Sequence, residues 1–430
     1  MKTLNVQNAD FVQSISVWAA ILVSASVFAQ QAEPGRQAPV DTHGHELVEV
    51  GPSLWERNHL LDEPAGARSS LEEAGVVIDA VLFADLSKNI SGGVNPAGTF
   101  RHLFDFSIQW DLAPLLGVEG GTFFVDFQTQ EGQDGSVETG DLQAYSNIDA
   151  PDFTALYEVW YQQLLFDGAA RIKAGKIDVN ADFAFVDNGG EFIHSSPGFS
   201  PTIFVLPTYP DPSFGLMGFV GEGGGLYAGG GVFDGALQEG ISTGTRGPST
   251  LFGDPADLFL IGEAGYVWGD EDDAQLPGRI AGGLWHHTGG FATFAGGVED
   301  GTTGLYLVFD QQLYAEPGGD GQGVFFFAQY GYADAEVSAV EHHVGAGVQW
   351  VGLIPDRDAD VAGLMLSYAR LSDEAGAGFT DDAETAVELF YKAHLTPWLS
   401  LKPDLQYIAN PGGAGLDDAW VATLRLELVF

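Results

Sequence analysis

The chain has 430 residues, with 16 Lys and Arg against 60 Asp and Glu for a formal charge of −44, and it has no Cys. That balance excludes nucleic-acid binding by phosphate neutralisation, and the missing thiols exclude a disulfide framework and thiolate metal sites. Hydrophobic residues make up 45% and charged residues only 18%, so a large apolar surface can be built from one chain.

The first element is the apolar run Ser16 to Ala29, preceded by Lys2 and ending on the small pair Val27 and Ala29. It reads as a secretory signal over 1–29, because its core is shorter than the ~20 residues a membrane helix needs. Residues 30–53 are polar and read as a flexible mature N-terminus. From 54 to 430 no linker or composition shift divides the chain. Leu54 to Gly75 holds the only helical character, and Ser69 to Ala74 is expected to open a helix with Ser69 as its cap.

From Val76 the period becomes two. In Phe104 to Leu112, Phe104, Phe106, Ile108, Trp110 and Leu112 share one face, with Asp105, Ser107, Gln109 and Asp111 on the other. Phe123, Val125 and Phe127 likewise oppose Asp126, Gln128 and Gln130. Tyr157 to Ala174 reads as a hairpin turning at Asp167-Gly168. Counting back from that turn sets Gln162 opposite Lys173 and Trp160 opposite Gly175. Glu158, Gln162, Arg171 and Lys173 then share one face, and Tyr157, Val159, Tyr161, Ile172 and Ala174 the other. Further strands follow at Gly225 to Phe233, Phe259 to Trp268, Arg279 to His287, Phe291 to Val298 and Leu305 to Leu313, and on to Trp420 to Phe430.

A soluble sandwich would alternate too, so the character of the polar face decides. It carries carboxylates, amides and arginines, as a wet lumen requires, while the other face is apolar and rich in aromatics. The last strand puts Trp420, Leu424, Leu426, Leu428 and Phe430 on one side and Thr423, Arg425 and Glu427 on the other, and it ends the chain on an aromatic. The expected fold is all-β, a transmembrane antiparallel β-barrel of about 16 strands with a short N-terminal helical segment. The expected place is the bacterial outer membrane, in contact with its lipid, with the strand ending at Phe430 presented to the barrel-assembly machinery.

Ordered blocks over Leu54 to Phe430 carry a family likeness. They are LEEAGV at Leu71 to Val76, LLGVEGGTF at Leu115 to Phe123, GDLQAYSNI at Gly140 to Ile148, LYEVWYQ at Leu156 to Gln162 and AGKIDVN at Ala174 to Asn180. Phe192 to Pro210 follows, then LTPWLSLKPDLQYIANPGG at Leu395 to Gly413. The chain resembles the carbohydrate-selective porins of the outer membrane, the glucose-porin type. The resemblance implies passive diffusion of mono- or oligosaccharides and other small neutral solutes into the periplasm, through a constriction lined by arginines and a carboxylate. Arg68 matches a family arginine, but Glu63 or Pro64 stands where the family has tryptophan, so the sugar preference stays open.

Neutral sugars call for planar hydrogen-bonding groups and aromatic faces. The candidates are Arg68, Arg101, Arg171 and Lys173, with Asp105, Asp126 and Glu158 as carboxylate counterparts and Trp160 as an indole face. Each alone could simply line a solvated wall; Trp160 could merely fill the space above Gly175. With −44 overall, a net-negative lumen disfavouring anions is expected.

No cofactor, metal site or catalytic residue is expected. Asp356, Asp358 and Asp360 imitate a calcium loop, but Val361 and Ser367 stand where glycine and glutamate belong. His286-His287 and His342-His343 point to opposite faces of their strands, so neither pair can grip one metal. The competing reading is a secreted all-β glycan-binding protein or glycoside hydrolase using paired acids such as Asp105 and Glu158.

Overall fold

Side chains that alternate in chemistry build a sheet with two unlike faces, and closing that sheet removes its edges. The computed structural model describes residues 54–61, 66–236, 256–269, 275–318 and 321–430. The expected signal and arm over 1–53, and the acidic turn Asp270 to Asp273, lie outside the described residues. Sixteen strands close into one antiparallel barrel, each bonded to its sequence neighbours and the first to the last. They are β1 (Val76–Ser91), β2 (Gly98–Asp111), β3 (Gly121–Gly132), β4 (Phe153–Leu165), β5 (Ala170–Ile177), β6 (Ser213–Val220), β7 (Gly225–Asp234) and β8 (Leu258–Trp268). The circuit continues with β9 (Gly278–Ala292), β10 (Val298–Ala315), β11 (Gly323–Ala333), β12 (Val340–Val351), β13 (Val361–Leu371), β14 (Ala383–Thr396), β15 (Leu399–Ala409) and β16 (Ala419–Val429).

The expected phase holds on most strands. On β16, Val421, Thr423, Arg425 and Glu427 are buried inside while Trp420 and Leu424 face out. Trp160 pairs with Gly175 and Gln162 with Lys173, and Asp167 and Gly168 both take positive φ in the turn, as a two-residue hairpin of the favoured hand requires.

Five local expectations change. Helix is not confined to Leu54 to Gly75: Asp111 caps a turn of helix at Leu112–Leu116, which takes Leu112 off its expected strand face. β6 was not anticipated. Phe291 to Val298 is not a strand: β9 runs through Gly289-Gly290 to Ala292, and the turn falls at Thr293 to Gly297, with Gly296 at φ 87°. The N-terminal helix α1 spans Ala67–Glu73 and starts at Gly66 without a side-chain cap, so Ser69 lies inside it. Tyr157, expected to face out, is buried: a bulge opposite Asp126/Phe127 inserts one residue, and Tyr157 and Glu158 both turn inward.

Glycines on the inner wall make room for neighbouring rings. A Cβ on Gly283 would meet Tyr306 Cζ at 2.1 Å, and one on Gly304 would meet Trp285 Cζ2 at 2.4 Å. The rings themselves are needed because the lumen is not uniformly polar. From β6 to β14, inward Phe219, Phe233, Phe327 and Phe390 pack against Phe183, Phe192 and Phe199, which belong to a connection folded inside.

Two connections at the same end of the barrel make this lining: residues 133–152 between β3 and β4, which include the one-turn helix α2 (Ser136–Thr139), and residues 178–212 between β5 and β6. They touch each other, Asn147 N donating to Ile193 O at 2.8 Å and Ser195 N to Ala144 O at 3.0 Å. Together they form a belt around the inner wall. Unpaired main-chain amides inside a barrel must find acceptors, and wall carboxylates supply them. Glu158 accepts from Asp178 N (2.8 Å), Glu263 from Ala184 N (3.1 Å) and Asp310 from Asn188 N (2.9 Å). Glu384 accepts from Leu142 N and Gln143 N at 2.8 and 3.0 Å, and Glu388 from Ile193 N and His194 N at 2.6 and 3.0 Å.

Candidate channel lining

The alternation of β2 to β5 aims their polar residues at the lumen beneath the belt. Asp126 stands directly across from Glu158, and Gln128 Nε2 donates to Asp105 Oδ2 at 2.9 Å, so the three acids form a band over β2, β3 and β4. Beside them Trp160 stacks on Phe124 at 4.8 Å between centroids, and Lys173 Nζ sits 4.4 Å over the indole. Lys173 and Arg171 converge on Asp182 of the belt at 2.7 and 2.6 Å, and Arg171 also holds Glu222 at 2.7 Å. Burial pushes the Asp182 carboxyl up, but Lys173 and Arg171 together hold it below the usual carboxylate range. Asp178, buried without such partners, is pushed up to about 6.

Thus Asp105, Asp126, Glu158, Trp160, Arg171 and Lys173 are brought together on one quadrant of the wall. Arg101 lies apart, fully buried under the first belt segment, where it bonds Asp149, Tyr145 Oη (2.6 Å) and Ser87 Oγ (3.0 Å). Arg68 is not with the others. From α1 it donates to Ile78 O at 2.7 Å and to the terminal oxygen of Phe430 at 2.6 Å, at the end of the barrel where first and last strands meet. Glu158 accepts from the belt amide of Asp178, and Asp105 from Gln128.

Sequence reasoning missed the cations on other strands of the wall. Arg279 bonds Phe185 O at 2.5 Å and Asp310 at 3.3 Å. Lys392 and Lys402 share Glu191 of the belt and Glu427 of β16, at 2.7 to 3.1 Å. Their signal was present: Lys392, Lys402 and Glu427 each sit at an inward position between outward apolar residues. Cations are thus gathered on these strands too, and each is matched by acids. Asp360 of the calcium-like triplet is taken up by Arg357 at 2.7 Å and by Tyr391.

The model of the carbohydrate-selective porin, OprB family, matches residues 98–430. Porin B of Pseudomonas aeruginosa is 23% identical over 86% of this chain and 91% of its own. Among solved structures, the high-pH form of Pseudomonas putida OprB covers 88% of this chain and all of its own at TM-score 0.77 and 20% identity. The low-pH form covers 87% and 99% at TM-score 0.59 and 18% identity. The structural likenesses carry the sixteen-stranded barrel, while the family match spans well over half of the sequence. The chain belongs to the OprB family of carbohydrate-selective porins and is an outer-membrane diffusion channel for carbohydrates.

Proposed function

We propose that the neutral-sugar path runs over the quadrant made by Asp105, Asp126, Glu158, Trp160, Arg171 and Lys173. The observation carrying this is Lys173, placed over Trp160 and bonded to belt residue Asp182. A sugar sliding past offers hydroxyls to the planar guanidinium and carboxylates and a C–H face to the rings. Selectivity is then set by aperture and hydrogen bonding, and the solute leaves chemically unchanged. Residues 1–29 serve as the export signal, 30–53 as a mature arm, and the strand ending at Phe430 as the segment the assembly machinery reads.

The experiment is conductance of the purified chain in planar bilayers with glucose and maltose titrated in. Sugar should block the ion current saturably, and Trp160→Ala with Lys173→Ala should raise the half-blocking concentration about tenfold, a loss of ~1.4 kcal/mol. A sugar response identical in the double variant sinks the assignment of these residues.

A further inference from the structure

Lys392 and Lys402 are almost wholly buried, with side-chain exposures of 8% and 3%, and two carboxylates neutralise them. The two acids differ in how they are held. Glu427 belongs to β16, a wall strand, and meets Lys392 at 2.7 Å and Lys402 at 3.1 Å. Glu191 belongs to an irregular stretch of the belt, directly after Gly189-Gly190, and its side chain is 27% exposed. It accepts from Lys392 at 3.1 Å and from Lys402 at 2.8 Å, and Lys402 also bonds its main-chain oxygen at 2.8 Å. Burial alone would push the Glu191 carboxyl up; Lys392 and Lys402 hold it far below the usual carboxylate range instead.

Were Glu191 to swing away, two buried ammonium groups would keep direct contact with one carboxylate, Glu427. An uncompensated buried charge is strongly disfavoured, so whatever replaces Glu191 must be an anion presenting paired oxygens to both lysines. A sugar hydroxyl cannot restore the balance. A carboxylate on a sugar can, and Glu191 is the one acid of the cluster that a solute in the lumen can reach and displace.

We propose that Lys392 and Lys402 form an anion subsite in the channel, filled at rest by Glu191 and taken over during passage by the carboxylate of an acidic saccharide, a uronic or aldonic acid. This rests on the porin reading and assigns a second solute class to the same lumen, on β14 and β15 and so off the Trp160 quadrant of β2 to β5.

The test is blockade of the purified full chain in planar bilayers by sodium glucuronate and, separately, by glucose. Glu191→Gln removes the competing charge and keeps the shape, so the half-blocking concentration of glucuronate should fall about tenfold while that of glucose stays where it was. Glu191→Asp retains the charge but cannot span both lysines as well, and it should give a fall of about threefold if the glutamine variant does not assemble. A glucuronate value unchanged in both variants, or one that moves in step with glucose, overturns the subsite. Glucose failing to enter the unmodified channel at all would instead count against the porin reading.

Discussion

Arg425 on the last strand grips Asp85 on the first, Nε to Oδ1 at 2.7 Å and Nη2 to Oδ2 at 2.8 Å, and the two are direct register partners across the seam that closes the barrel. Both are buried, and Asp85 also accepts from Ser146 of the belt at 2.7 Å. Removing one partner strands the other without water. Asp85→Ala should therefore cost about 3–5 kcal/mol, seen as a lower midpoint for loss of the heat-modifiable folded band. Asp85→Leu with Arg425→Met should cost clearly less than Asp85→Ala; equal losses would contradict the stranded-charge account.

Arg68 ties α1 to Ile78 O and to the end of the chain. Leu60 N bonds Val429 O at 2.9 Å, and Trp398 Nε1 donates to Leu54 O at 2.8 Å with Trp55 stacked on its ring. Residues ahead of β1 thus clasp the seam from one end. Arg68→Ala should weaken the clasp by about 1.5–3 kcal/mol, the usual worth of charged hydrogen bonds. Faster amide exchange at Val429 and Phe430, with unchanged sugar blockade, is the expected pair of readings. A changed blockade would place Arg68 in the sugar path after all.

His194, buried in the belt, is held down to about 3 by its burial, against an ordinary value of 6.5. A histidine whose folded-state pKa is depressed contributes full stability above about 6.5 and loses it as pH falls toward 3, since the unfolded chain takes the proton first. At pH 5 the loss is about 2 kcal/mol. Denaturant midpoints measured at pH 7.5 and 5 should separate more in the unmodified protein than in His194→Leu. The leucine variant also removes the acceptor for Ser196 N, so its absolute midpoint is lower at both pH values and only the difference is diagnostic.

Gly283 lies against the ring of Tyr306, which bonds Glu263 at 2.8 Å. Gly283→Val would drive that ring off its carboxylate as well as overfill the space. A cost of at least about 1–3 kcal/mol is expected, read as reduced yield of the heat-modifiable form. Gly296→Ala, with nothing within 4 Å, meets only the strain of its φ of 87° and should be milder.

The wall of this barrel was legible because its signal is local. Alternation shows within any eight residues, so the inward phase of Arg425 and the pairing of Trp160 with Gly175 could be counted from sequence. Tyr157 was misplaced because a single inserted residue reverses phase without changing composition. Inward loops were to be expected in such a barrel, but which connections make the belt was not legible. Leu142 and Gln143 find their acceptor 242 and 241 residues away at Glu384, and no pattern within 133–152 announces it. Arg68 shows another limit: its match to a family arginine was visible, but its partner is the last residue of the chain, and only closure brings them together.

The wall carboxylates hold the belt by its main-chain amides at Leu142, Gln143, Asp178, Ala184, Asn188, Ile193 and His194. An amide is the same at nearly every residue, so these attachments do not read the side chains they suspend. Sequence can therefore drift at those amide positions, but not at Glu158, Asp182 or Glu191, whose side chains join wall and belt and line the passage at once.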